Sequence, residues 1–221
     1  GQPGGCLNRH PNALTPVARP FHSLTFMDVS MKFSLVLATL DTDEAEFSRF
    51  LVSLKTQLPE SVELILVDQN PDDRLQRWTA DYQGLFPIKI VRSQKGAARA
   101  RNVGLPEVSG DVVVFPDDDC WYPPGLLRAV REILEANPQW GGVTGSARDG
   151  EGRPAVGNWQ DPAGRVTKFN VWERGVAVTI FLRNSVLQKI GGFDEDLGVG
   201  SSTPWQSGEE TDLLIRALEV A

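Results

Sequence analysis

Two periods of apolar residues alternate along the chain. Residues 32–39 (KFSLVLAT) are a short apolar run rich in strand formers, and a buried strand is expected there. Asp41-Thr42-Asp43 follows and offers helix N-caps. Phe47, Phe50, Leu51, Leu54 and Leu58 then recur at helical spacing until Pro59 stops them. Val62 to Val67 predicts a second strand, ending in Asp68-Gln69-Asn70-Pro71-Asp72-Asp73. A helix from near Asp72 carries Leu75, Trp78 and Tyr82, and Ile88 to Val91 predicts a third strand. Gly96 to Gly104 (GAARARNVG) reads as a helix opened and closed by glycine, and Asp111 to Phe115 as a fourth strand.

Pro123 to Asn137 predicts a helix with Leu126, Leu127, Val130, Ile133 and Leu134 on one face. Pro124 near its start and Pro138 beyond its end fit the usual asymmetry. Gly141 to Gly145 predicts a further strand, and Ser146 to Gly175 a long loop or small hairpin over a site. Val176 to Leu182 predicts another strand, Asn184 to Ile190 a short helix, and Glu209 to about Leu218 a last helix. Strand and helix in alternation predict an α/β fold, with a mainly parallel central sheet flanked by helices. In such sheets ligands bind at the carboxyl ends of the strands, where Asp41, Asp68 and Asp117 to Asp119 fall. Residues 1–30 show no clear period and lack the apolar core of a signal peptide. They are expected to be a poorly ordered or misread leader to a single domain over 31–221.

Charge and composition narrow the function. The 221 residues carry a formal charge of -7, which argues against nucleic-acid binding and against a polybasic membrane anchor. No apolar run reaches the length of a membrane span. Cys6 and Cys120 give no disulfide framework and suggest a reducing compartment. His10 and His22 are the two histidines, so none lies in 31–221. A Ser-His-Asp or Cys-His mechanism and a His/Cys zinc site are therefore set aside. Any general base there is a carboxylate, a lysine or a tyrosine.

Three constellations carry chemistry. In the first, Val112-Val113-Val114 leads through Phe115 and Pro116 into Asp117-Asp118-Asp119. Each neighbouring pair of these anions costs about 1 kcal/mol in water and about 4 at an effective dielectric near 20. An oxygen-seeking divalent cation removes the repulsion; a solvated acidic turn is the bland alternative. The second is Gly208-Glu209-Glu210-Thr211-Asp212, acids at a helix start that would complement the dipole or serve as a base. The third is Lys95 to Asn102, a cationic helix start that could accept a phosphate or be an ordinary amphipathic helix. Asp194-Glu195-Asp196 lacks the glycine and glutamate of a calcium loop, and no phosphate-loop or dinucleotide fingerprint is present. Cys120 is a poor nucleophile beside anions.

Four stretches in order resemble the family 2 glycosyltransferases, which have a GT-A-type fold. They are LVLAT (Leu35–Thr39), LILVDQN (Leu64–Asn70), GAARARNVG leading to FPDDD (Phe115–Asp119), and GGFDEDLG (Gly191–Gly198) followed by GEETDLL (Gly208–Leu214). The resemblance implies inverting transfer of a sugar from a nucleoside diphosphate sugar, a uridine diphosphate donor first, to a sugar or lipid-linked acceptor. It implies that Thr39, Asp41 and Asp68 bind the nucleoside. Lys95, Arg99 and Asn102 would sit near the nucleotide or hold the site, and Trp205 and Asp212 would belong to the donor or acceptor side. Asp117, Asp118 and Asp119 would bind ribose and Mn2+ or Mg2+, with Asp119 or Asp118 a direct ligand. Glu210 matches the family's base, usually an aspartate, so Glu209 or Glu210 is the expected base. Trp159, Trp172 and Trp205 could stack on sugar faces or simply pack. A Gln-x-x-Arg-Trp motif is absent after Glu210, which favours single-sugar transfer over polymerisation.

The family also implies cell-surface polysaccharide or glycoconjugate synthesis in the cytoplasm, compatible with the inner face of a membrane. Truncation at the carboxyl end is expected, because family members often continue further. Two alternatives stand beside this reading: a catalytically inactive carbohydrate- or nucleotide-binding relative, and a sugar-phosphate nucleotidyltransferase. The latter would want glycines and lysines after the first strand, and Ala38 to Asp43 lacks them.

Overall fold

The computed structural model describes residues 31–155 and 163–221. The leader expected over 1–30, with Cys6, His10 and His22, and Trp159 lie outside the described residues. The strands are β1 (Lys32–Thr39), β2 (Ser61–Asp68), β3 (Ile88–Arg92), β4 (Val112–Val114), β5 (Gly142–Thr144) and β6 (Ile180–Arg183). The helices are α1 (Glu44–Lys55), α2 (Arg74–Trp78), α3 (Ala97–Gly104), α4 (Leu126–Ala136), α5 (Asn184–Ile190) and α6 (Glu209–Val220).

One sheet runs in the order β3-β2-β1-β4-β6-β5. β1 to β4 are parallel, and β6 is antiparallel to both β4 and β5. Side chains alternate across a strand, so β1 and β2 feed two cores. Phe33, Leu35, Leu37, Leu64 and Leu66 face Phe47, Phe50 and Leu54 of α1 and Leu127 and Leu134 of α4. Val36, Ile65 and Val67 face Ala98 and Ala100 of α3 and Leu213, Leu214 and Ala217 of α6. Burial on both faces is why these strands read as unbroken apolar runs.

Several local expectations change. Val176–Leu182 is not one strand. Thr179 bonds back to the Val176 carbonyl through both its backbone N–H and its hydroxyl, which closes a 3-10 turn, so the strand begins at Ile180. Helix α2 starts at Arg74 and is a single short turn, with Tyr82 in a separate 3-10 turn. Gly104 does not stop α3; it is the helix's last residue, and a Cβ there would lie 2.7 Å from Val36 Cγ1 and 2.8 Å from Val67 Cγ2. Its lack of a side chain lets α3 sit directly on the sheet. Helix α4 starts at Leu126, later than Pro124 suggested, because Gly125 is left-handed at φ 79°; Gln57, just past the end of α1, then caps it by accepting from the Leu127 N–H at 3.1 Å. Within 146–155, Arg148 and Pro154 form the one bridge of a small hairpin.

Candidate active site

The parallel strands bring their carboxyl ends to one edge. There the Thr39 carbonyl accepts from the Gln69 N–H at 3.0 Å, and Gln69 Oε1 accepts from the Gly96 N–H at 2.9 Å. Asp68 is fully buried; its Oδ1 takes both the backbone and side-chain N–H of Asn70 at 2.9 Å, and Arg92 pairs with Oδ2 at 3.0 Å. Asn70 Oδ1 in turn accepts from the Asp41 N–H at 2.7 Å. Asp41 has a positive φ of 57°, uncommon for a residue other than glycine and tolerated by aspartate. Asp68 therefore fixes the Asp41 and Gln69–Asn70 turns as one wall beside Thr39.

Phe115 and Pro116 are buried, and Asp117 to Asp119 emerge beyond β4. The three carboxylates do not point one way. Asp117 Oδ1 accepts from Arg101 Nη2 at 3.1 Å. Asp117, Asp119 and Cys120 each place a ligand atom within 4.8 Å of the others. Asp118 instead faces Thr39 and Thr42. Burial raises the Asp118 pKa, the Thr39 hydroxyl lowers it, Asp119 and Asp117 raise it again and Thr42 lowers it, with a net rise. Both hydroxyls are buried without a hydrogen bond of good geometry, so they present unmet polar capacity at the end of β1. Burial also raises the Asp117 pKa, with Asp119 and Glu209 adding to the rise and Arg101 opposing it.

Burial, then Asp117 and Asp119, push the Cys120 thiol up to about 12. At neutral pH this thiol stays protonated and is a poor ligand. The oxygens of Asp117 and Asp119, crowded by a second carboxylate, suit a hard divalent cation such as Mg2+ or Mn2+. The residues present fit such an ion.

Across from the aspartates lies the start of α6. Gly208 has φ 96° and sets the turn into the helix. Glu209 is buried, and its Oε1 accepts from Arg101 Nη1 at 3.2 Å. Glu210 is half-buried. Burial raises its pKa, its own backbone N–H lowers it, and the Glu209 carboxylate raises it further, for a net rise. Asp212 is engaged elsewhere, accepting from Arg216 Nε at 2.9 Å and Nη2 at 2.6 Å while Arg216 also donates to the Ile190 and Gly192 carbonyls.

The cationic helix start is also engaged. Besides Gly96, the Ala97 N–H donates to the Val199 carbonyl at 2.9 Å, so two of the donors a phosphate would use are taken. Arg99 pairs with Glu195 at 3.1 Å. Asn102 accepts from the Phe193 N–H at 2.7 Å and donates to the Phe193 carbonyl and to Glu195. Both residues hold the Gly191–Gly198 loop. Lys95, Trp172 and Trp205 are exposed.

Sequence reasoning passed over Arg101, which joins two of the three constellations, and Thr42. A signal for Arg101 was present: it lies three residues after Ala98 and three before Gly104, on the helical stripe that faces the sheet.

Residues 34–188 match the family described as Glycosyl transferase family 2. An uncharacterized glycosyltransferase of Haemophilus influenzae is 34% identical over 97 residues, 43% of this chain and 32% of its own length. The mouse polypeptide N-acetylgalactosaminyltransferase 10 is 30% identical over 134 residues, 56% of this chain and 21% of that protein. Among solved structures, Staphylococcus aureus TarS 1-349 superposes with a TM-score of 0.64 at 21% identity, covering 77% of this chain and 52% of that one. The Pyrobaculum calidifontis mannosyltransferase PcManGT, solved with GDP-Man and Mn2+, gives 0.60 at 20% identity, covering 79% and 51%. Both show the GT-A-type fold here. The chain thus spans a third or less of those curated relatives and about half of those solved chains. Among the described residues no helix is long and apolar enough to cross a membrane.

Proposed function

The chain belongs to glycosyl transferase family 2, and from that premise we propose that it moves one sugar from a nucleoside diphosphate donor to an acceptor hydroxyl, with inversion and with a divalent cation. The observation that carries this reading is the meeting of Asp117 at the end of β4 with Glu209 at the start of α6 through Arg101, with Asp119 beside the first and Glu210 beside the second.

Each group has a role on this reading. Asp119 and Asp117 would hold Mn2+ or Mg2+. When bound, the cation neutralises charge on the departing diphosphate. Asp118 turns toward Thr39 and Thr42 and with them takes the ribose, while the wall of Asp41 and Asp68 bounds the nucleoside base. A uridine diphosphate sugar is the first donor to try, because TarS has been solved with UDP-GlcNAc. Glu210 is the base and Glu209 is not. Glu209 is buried and occupied by Arg101, whereas Glu210 is half-open and holds a carboxylate whose proton affinity is raised. The acceptor oxygen bonds to the anomeric carbon as the bond to the diphosphate oxygen breaks with its electron pair. The acceptor proton passes to Glu210. One displacement inverts the anomeric centre. Trp172 and Trp205 are exposed enough to stack on a sugar ring. The expected setting is cytoplasmic synthesis of cell-surface glycans, with a sugar or lipid-linked acceptor near the inner membrane face.

The test is a panel of nucleoside diphosphate sugars with Mn2+, following sugar release and the anomeric configuration of the first product by NMR. One donor turned over with inversion, and lost in Asp119→Ala, supports the reading. Turnover with retention, or equal turnover after removal of metal, contradicts it.

A further inference from the structure

We propose that Arg101 is a positioning residue that registers the Glu209–Glu210 pair against Asp117, so that the start of α6 and the end of β4 meet the substrate as one unit. Its kinetic consequence rests on the transferase reading above; the geometry stands without it.

Arg101 is only 6% exposed, and its guanidinium reaches two elements at once, Asp117 at 3.1 Å and Glu209 at 3.2 Å. Its base is rigid. Helix α3 lies directly on β1 and β2 at Gly104, with no room for a Cβ against Val36 and Val67. The guanidinium itself is held over the Phe193 ring, 5.4 Å from its centroid. Phe193 packs edge-on against Phe115 at 4.8 Å, and Asn102, the next residue of α3, clamps the Phe193 backbone from both sides. Gly198 leaves the space that the Glu209 carboxylate fills.

Stability alone is a weak reason for this arrangement. Buried ion networks often contribute no more than apolar packing of the same volume, and here Arg101 Nε is buried without a hydrogen bond, which is itself unfavourable. Fixed register is what such a fork supplies. A planar guanidinium presents several donors in fixed directions and can span two carboxylates at a set separation, while the freely rotating ammonium of lysine does not fix their relative direction. Glu210 follows Glu209 on the same helix turn, so fixing Glu209 fixes where Glu210 meets an acceptor. A misplacement of about 1 Å can cost on the order of a hundredfold in rate.

The test compares wild type with Arg101→Lys and Arg101→Met in three readouts: donor kcat and KM, nucleoside diphosphate affinity in Mn2+ by calorimetry, and thermal unfolding. Arg101→Lys is expected to lose at least about 30-fold in kcat, with KM and nucleotide affinity changed less than about threefold and Tm within a few degrees of wild type. Wild-type kcat in Arg101→Lys, or a loss confined to KM, overturns the assignment. If wild type turns over no donor, the transferase reading fails, and the strut is then read from unfolding alone. Asp117→Asn and Glu209→Gln should be non-additive in Tm when Arg101 is present and additive in Arg101→Met. Additivity in both backgrounds overturns the strut.

Discussion

The carboxylate of Glu209 fills the space where Gly198 would carry a side chain: a Cβ at Gly198 would lie 2.7 Å from Glu209 Cδ and 2.8 Å from its Oε2. Gly198 also has φ 90°, a conformation that costs other residues roughly 1–2 kcal/mol. Gly198→Ala therefore meets strain and a clash with a buried, ion-paired group together. The expected result is a Tm lower by several degrees and a larger proportional loss of turnover, because Glu209 must leave its place beside Arg101. Differential scanning calorimetry and initial rates on the same preparation check both.

Glu210 is raised above its ordinary value of 4.5 by burial and by Glu209. As a base it must be ionised, so kcat should fall on the acid side through a pKa higher than that of a free glutamate. The stability effect has the opposite sense. A carboxyl with a raised folded pKa is stabilising when protonated, and this is lost as pH rises from 4.5 through the folded value. Glu210→Gln removes the buried charge. It should lose on the order of 10²–10⁴ in kcat while its Tm at pH 8 equals or exceeds that of wild type, an advantage that disappears below pH 4.5. Thermal melts across pH beside a pH–rate profile decide it.

At the opposite end of the sheet, Glu63 is a pure stability group. Burial would raise its pKa. Hydrogen bonds from Lys32 at 2.6 Å, Ser34 at 2.5 Å, and the Ser109 N–H and hydroxyl at 2.8 and 2.7 Å outweigh this and hold it near 2. A depressed pKa contributes stability above 4.5 that is lost as pH falls toward 2. Glu63→Gln should lower Tm by several degrees at pH 7, and the gap to wild type should narrow below pH 4.5 and close only as pH approaches 2. Nucleotide affinity should not change.

Asn102 holds both backbone groups of Phe193 with one amide, and a Cβ at Gly192 would fall 2.2 Å from Asn102 Oδ1. Asn102→Ala strands a buried donor and acceptor, a cost of about 1–3 kcal/mol. Hydrogen exchange should speed up over residues 191–198 more than over β1 and β2. Uniform acceleration across the molecule would mean that the amide supports the whole fold and not this loop.

Strand–helix alternation was enough to read the α/β fold, and three of the four parallel strands, β1, β2 and β4, emerged where apolar runs led into aspartates. What it could not read depends on distant partners. The α4 cap comes from Gln57, far back in the chain. The antiparallel pairing of β6 with β4 and β5 joins segments far apart in the chain. The aspartates stood out as chemistry in the sequence, but their division, with Asp118 toward Thr39 and Thr42 and Asp117 toward Arg101, is set by tertiary contacts. Arg99 and Asn102 are expected near the nucleotide or holding the site, and their grip on the 191–198 loop depends on Glu195 and Phe193, some ninety residues away in the chain.

The most direct measurement is calorimetric titration of a uridine diphosphate sugar into wild type and Asp119→Ala, each with Mn2+ and with chelator. The account expects binding to wild type that needs Mn2+ and is lost in Asp119→Ala. Equal affinity with and without metal, or undiminished metal-dependent binding in Asp119→Ala, would contradict it.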